Sequence, residues 1–292
     1  MAWIEQGVLR GVDKIIFDQL NGGKIGEPPH YDNTSFCRSL KDSSLSDLDG
    51  LDLITKIYDQ IADNLSEANS GRIPSKENWR WKKNPKIKEA QDGKAGNSSS
   101  EVGLEKAIVK ISPQVWPEVS EWSNQAPTSS GLLGPNYDKK RAIDLAHRRQ
   151  HGTHVDYEFI ELKVDSNNPV SAAMEIMVYG MLYVLSRDNR EGMGYVREKN
   201  PLLWGRNIHL QVLAPHKYYS GYNLARFEKT FDEALGDFLR LKKRRFGMRF
   251  EFQEFPQQFH PRKVLKDIGF RDCQIVEALH HRIPVYPKQG RT

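Results

Sequence analysis

The sequence predicts an α/β fold, and three observations carry that reading. Tyr157–Val164 (Y-E-F-I-E-L-K-V) alternates as a β-strand does: Ile160, Leu162 and Val164 share one face, Glu161 and Lys163 the other. Asn168 can cap a helix and Pro169 can occupy its first position, opening an apolar helix that extends to about Leu185. Ile208–Ala214 (I-H-L-Q-V-L-A) then returns to strand character before Pro215.

Composition sets the bounds. A chain of 292 residues can bury a full core, as one large domain or as one domain with a helical extension. Cys37 and Cys273 are far apart and fit neither a disulfide framework nor a zinc spacing, and the first residues show no secretory signal. A reducing, cytoplasmic setting is expected. Val170–Leu185 is shorter than the ~20 residues that span a bilayer and carries Glu175, so it is expected to be a core helix. The net charge is +5, yet residues 1–96 carry 14 Lys and Arg against 15 Asp and Glu. The basic excess therefore falls on residues 97–292, a bias that suits a polyanionic partner.

Taken in order, residues 3–20 have helical apolar spacing (Ile4, Val8, Leu9, Val12, Ile15, Ile16, Leu20), ended by N-G-G at 21–23. Residues 45–67 read as a second amphipathic helix through Leu48, Leu51, Ile54, Ile57, Ile61 and Leu65. Neither carries visible chemistry, and both fit a helical layer on the main domain. Residues 78–88 (N-W-R-W-K-K-N-P-K-I-K) interleave aromatics with cations. Trp79, Arg80, Trp81, Lys82 and Lys83 either stack on bases and neutralise phosphates, or the tryptophans anchor a basic loop to the core. Residues 89–100 have linker composition, which places the expected boundary between an N-terminal helical extension (1–96) and the main domain (97–292).

Ser98-x-x-Glu101 matches a capping box for a helix to about residue 112 that buries Leu104, Ala107, Ile108 and Ile111. Capping accounts for Glu101 but not for Glu105, one turn on. Prolines at 113, 117, 127 and 135 punctuate short strands and loops. Arg141–His147 is a strand in which Asp144 faces away from Ile143 and Leu145, and Gly152 supplies the following turn. Residues 222–245 read as a long helix whose basic end (L-K-K-R-R) suits the macrodipole, and Met248–Phe255 as a further strand. The remaining prolines and His280–His281 have no interpretable spacing.

The acid-x-Lys string alone says little, because it also occurs at Asp92/Lys94 and Asp138/Lys140, in loop composition. The order of elements says more. A helix with Glu105, a strand with Asp144, a strand with Glu161-x-Lys163, a helix and a strand together resemble the PD-(D/E)XK nuclease superfamily over about residues 98–255. That resemblance implies a restriction-endonuclease-like αβββαβ core with a mixed central sheet flanked by helices, here with an added N-terminal helical region. It implies that Glu105, Asp144 and Glu161 hold Mg²⁺, for which Mn²⁺ can substitute, and that Lys163 completes the catalytic set. Glu175-x-x-x-Tyr179 stands where an exonuclease branch carries Gln-x-x-x-Tyr. Two departures are plain: Ile143, not Pro, precedes the aspartate, and Glu175 replaces Gln.

The residues support the same chemistry directly. Three converging carboxylates repel one another unless a cation neutralises them, and a hard, oxygen-seeking ion answers that need. The expected function is a metal-dependent phosphodiester hydrolase acting on nucleic acid, DNA before RNA. The alternative is a nuclease-like domain used as a non-catalytic binding module. Strand parity excludes Asp156 and Glu158 from the metal set, since even positions face away from 161 and 163.

Overall fold

The computed structural model describes residues 7–20, 47–67, 77–85, 100–111, 117, 121–130, 141–164, 168–266 and 271–287. Its centre is a six-stranded mixed sheet in the order β1 (Trp122–Pro127), β2 (Ala142–His151), β3 (His154–Leu162), β4 (Asn207–Pro215), β5 (Gly247–Phe255) and β6 (Ile283–Pro284). The first three strands form an antiparallel meander, β3, β4 and β5 run parallel, and β6 returns antiparallel on β5. The helices are α1 (Val12–Leu20), α2 (Gly50–Glu67), α3 (Ser100–Lys110), α4 (Pro169–Asp188), α5 (His216–Tyr219), α6 (Ala225–Leu241), α7 (Pro261–Val264) and α8 (Arg271–His280). The chain is thus an α/β fold with an open sheet flanked by helices.

Both sheet faces are buried. On one, α1, α2, α4 and α6 pack over Phe159, Leu210, Val212, Phe250 and Phe252 in a single core. On the other, α3 and α8 cover Leu145, Ile160, Leu162, Leu213 and Phe255. Residues from the first hundred positions therefore share one core with the later helices and strands. The boundary expected at 96 and 97 lies outside the described residues, as does Ser98 of the expected capping box.

Helix α4 is long and apolar enough to cross a membrane by length and composition, and it is buried within the core nearly all round. Its start follows the local signals: Asn168 accepts a hydrogen bond from the Ser171 amide, and Pro169 follows at N1. Close packing needs Gly180, because a Cβ there would lie 2.6 Å from Leu210 Cδ1 on β4.

Several boundaries differ from the sequence expectation for local reasons. Of the helix expected over residues 3–20, residues 3–6 lie outside the described residues; within the described ones α1 begins at Val12, because Gly7 and Gly11 adopt φ of 97° and 79° and turn the chain just before it. The second helix begins at Gly50. The long helix spans Ala225–Leu241: Lys243 at φ 53° closes it, with the Arg244 amide donating back to the Leu239 carbonyl. The strand expected to end at His147 continues to His151, since a two-residue turn at Gly152 (φ 58°) and Thr153 lets His151 pair with His154. The tail that carried no readable spacing contains α8 and β6.

Candidate functional site

The site lies where the C-terminal ends of the parallel strands β3 and β4 meet the start of the antiparallel β2. Ligand sites in open α/β sheets favour such strand ends. The register pairing Leu145 with Ile160 puts Asp144 opposite Glu161. Asp144 Oδ2 also accepts from the Leu162 amide at 2.9 Å. Lys163 lies one residue past β3, yet its amide continues the ladder by donating to the Leu213 carbonyl at 2.9 Å. Period-two alternation then brings its side chain onto the face of Glu161, and Nζ sits 2.5 Å from Glu161 Oε1.

Helix α4 delivers the next pair. Tyr179 donates its hydroxyl to Glu175 Oε1 at 3.0 Å, one helical turn apart. The Glu175 carboxylate lies 3.9 Å from Lys163 Nζ and 4.0 Å from Arg141 Nη1. Helix α3 brings Glu105, whose Oε2 accepts from Gln125 Nε2 at 2.5 Å. Glu101, in the first turn of α3, accepts from the Val164 amide at 3.2 Å and so ties that helix to the end of β3.

Electrostatics set this cluster apart. Burial pushes Glu105 up to about 8, helped by the charge of Asp144 and opposed by Gln125. Burial pushes Asp144 up to about 6, with Glu175 adding to the rise and Lys163 opposing it. Glu161 is raised well above the usual carboxylate range by burial and by the charges of Asp144 and Glu175. For Lys163 burial works against the charge, but Glu161, Asp144 and Glu175 outweigh it and raise its pKa. Glu161 Oε2 is buried with no hydrogen-bond partner.

The sequence-predicted residues are therefore brought together in part. Asp144, Glu161, Lys163, Glu175 and Tyr179 interact directly or electrostatically, and Glu105 feels the charges of Asp144 and Lys163. They do not converge as a ready ligand set: among the described residues no group of three His, Cys, Asp or Glu side chains is arranged to hold a metal ion. The reason is local, since Lys163 occupies one oxygen of Glu161 and Gln125 one oxygen of Glu105.

The chain matches no protein-family model, no curated protein and no solved structure.

Parity along β3 holds as the sequence implied. Glu158 lies away from Lys163, between His147 Nδ1 at 2.8 Å, Arg149 Nη2 at 2.7 Å and Arg282. Asp156 accepts from the backbone and side-chain nitrogens of Asn207 at 3.0 Å. The basic-aromatic stretch needs one correction. Trp79 is fully buried, 5.5 Å edge-on to Tyr183 and near-parallel to Phe159, so it cannot stack on a base. Its neighbours divide: Arg80 pairs with Glu77 at 2.8 Å, Trp81 is half-buried against Tyr157, and Lys82 and Lys83 are exposed.

Two contributors were missed. Gln125 is an unremarkable strand amide in sequence; its φ of 53° marks the distortion of β1 beside Asp144. Tyr218 lies in the short helix α5 that follows β4, and its buried hydroxyl has no hydrogen-bond partner and feels Lys163 and Glu161. Position just after a parallel strand was the signal that could have found it.

Proposed function

We propose that the chain is a metal-dependent nuclease with a PD-(D/E)XK-like, restriction-endonuclease-like core, acting on DNA in preference to RNA. The observation that carries this reading is the juxtaposition of Asp144 with Glu161 across β2 and β3, with the Lys163 ammonium beside Glu161. Supporting it, the order α3–β1–β2–β3–α4–β4 repeats the αβββαβ succession that the sequence resemblance implies.

The donor chemistry suits a hard cation. A buried carboxylate oxygen of Glu161 has no donor, and Glu105, Asp144 and Glu161 all resist ionisation, a cost that a divalent charge removes. Glu105, Asp144 and Glu161 would hold Mg²⁺, with Mn²⁺ as substitute. When bound, such an ion supplies an acidified water and neutralises charge on the scissile phosphate.

The chain's own residues do the rest. Lys163, kept protonated by three acids, presents a positive charge to phosphoryl oxygens as negative charge builds on them. Glu175 steadies that ammonium and is itself held by Tyr179. The test is cleavage of supercoiled plasmid, single-stranded DNA and RNA with Mg²⁺, Mn²⁺ or EDTA. DNA cleavage that EDTA abolishes is the expected result. DNA binding without cleavage in either metal would overturn the enzymatic reading and leave a binding module.

A further inference from the structure

Two cavities adjoin at the sheet end remote from Lys163, one beside the start of β3 and the other between the end of α4 and the start of β5. The first, about 370 Å³, has aromatic walls of Trp81, Tyr157 and Trp204, with Arg148 and Arg197 beside Glu121 and Glu198. The second, about 620 Å³, gathers Arg187, Arg190, Lys243, Arg244 and Arg245 against Asp188 and Glu191. Arg190 joins them: it lines the second, and its guanidinium lies 5.5 Å from the ring centroid of Trp204 in the first.

Internal contacts occupy only some of these cations. Arg244 pairs with Asp188 at 2.7 Å, and Arg187 packs 4.1 Å from the ring centroid of Phe246 while bonding the Tyr183 hydroxyl. Lys243 and Arg245 are exposed, and neither forms a salt bridge among the described residues. Their position follows from the backbone, because the left-handed turn at Lys243 ends α6 and leads straight into β5.

An aromatic cavity beside a cationic one fits a ligand that is planar on one side and anionic on the other. An unpaired nucleotide has that form, whereas a duplex keeps its base faces stacked inside the helix. We propose that the two cavities form one binding track for single-stranded nucleic acid. An unpaired base enters the Trp81–Tyr157–Trp204 cavity, and the adjoining phosphates lie on Arg190, Lys243 and Arg245. The track lies about 20 Å along β3 from Lys163, at ~3.3 Å per residue from Tyr157. It stands apart from the catalytic reading, since it binds whether or not the acids at the other end act.

Fluorescence anisotropy in EDTA tests it, using the full chain with labelled oligo(dT) and a blunt duplex of equal length. Oligo(dT) should bind more tightly than the duplex. Trp81→Ala should weaken it roughly 5- to 160-fold, the range of one lost stacking contact. The double variant Lys243→Ala, Arg245→Ala alters exposed side chains only and keeps the test valid should the tryptophan variant not fold. It should weaken binding and reduce the slope of log affinity against log salt by about 1.4, at ~0.7 per single-strand phosphate contact. Equal affinity for the duplex, or unchanged oligo(dT) affinity in the folded double variant, would overturn the track. Cleavage with Mg²⁺ is measured separately, so binding without cleavage counts against the nuclease alone, and cleavage without single-strand binding against the track alone.

Discussion

Lys163 Nζ and Glu161 Oε1 stand 2.5 Å apart at the end of β3, both almost fully buried. The ammonium neutralises one carboxylate of a crowded set, so its removal has two consequences that can be separated. Lys163→Ala should lower cleavage at least 100-fold, through loss of charge stabilisation as the phosphoryl group reacts. It should not weaken Mg²⁺ binding by calorimetry, because it frees an oxygen of Glu161. Undiminished cleavage by a folded Lys163→Ala protein would remove Lys163 from the chemistry.

Glu175 sits between Lys163, Arg141 and Tyr179. Gln in its place still offers an oxygen to the Tyr179 hydroxyl and restores the residue of the exonuclease pattern. Glu175→Gln should therefore keep most of the activity. Glu175→Leu should lose about tenfold or more, since the Tyr179 hydroxyl, nearly buried, is left unpartnered. Equal rates for the two variants, read in one cleavage assay, would place Glu175 outside the site.

On the other sheet face, burial opposes the charge of Glu158, but His147, Arg282 and Arg149 hold its pKa down to about 2 from 4.5. A depressed carboxylate contributes stability above its unfolded pKa and loses it as pH falls from about 4.5 toward 2. Glu158→Gln should cost roughly 3 kcal/mol at neutral pH, the order found when one partner of a buried ion cluster is removed. Its denaturant midpoint should also be less sensitive to acid than that of the wild type over this window. A neutral-pH midpoint equal to wild type would show the cluster to be energetically idle.

Much of this architecture was legible because its signals are local. Two-residue alternation placed Glu161 and Lys163 on one face and Glu158 on the other, and Asn168–Pro169 marked the start of α4 within one residue. What escaped depends on contacts between distant segments. Arg282 reaches Glu158 across 124 positions, Gln125 meets Glu105 only because β1 packs against α3, and Tyr218 enters the site only because β4 lies parallel to β3. Trp79 and Trp81 look alike in sequence. A left-handed turn at Trp79 (φ 59°) accompanies its burial in the core, while Trp81 keeps an exposed edge beside Tyr157.

The crowding of Asp144, Glu161 and Glu105 should be visible in stability before any substrate is added. Asp144 rises from 3.8 to about 6 and Glu105 from 4.5 to about 8, burial being the larger cause in both. A carboxyl whose folded pKa exceeds its unfolded value holds its proton more tightly when folded. Its stabilisation is complete below the unfolded pKa and is lost as pH rises through the folded one. In EDTA the Tm should therefore fall as pH rises from 5 to 8. Asp144 keeps partial solvent contact, so its share is discounted to roughly 1–2 kcal/mol, a few degrees in Tm. Asp144→Asn removes the charge while its amide oxygen can still accept from the Leu162 amide, so this variant should melt higher than wild type at pH 8 and no higher at pH 5. It should also abolish cleavage, while Asp156→Asn, altered where it meets Asn207 and His151 and away from Lys163, should cleave normally. Mg²⁺ should raise the wild-type Tm more at pH 8 than at pH 5, and far less in Asp144→Asn. A wild-type Tm in EDTA that climbs steadily from pH 5 to 8, with Asp144→Asn melting lower throughout, would mean that these acids sit comfortably ionised and need no cation.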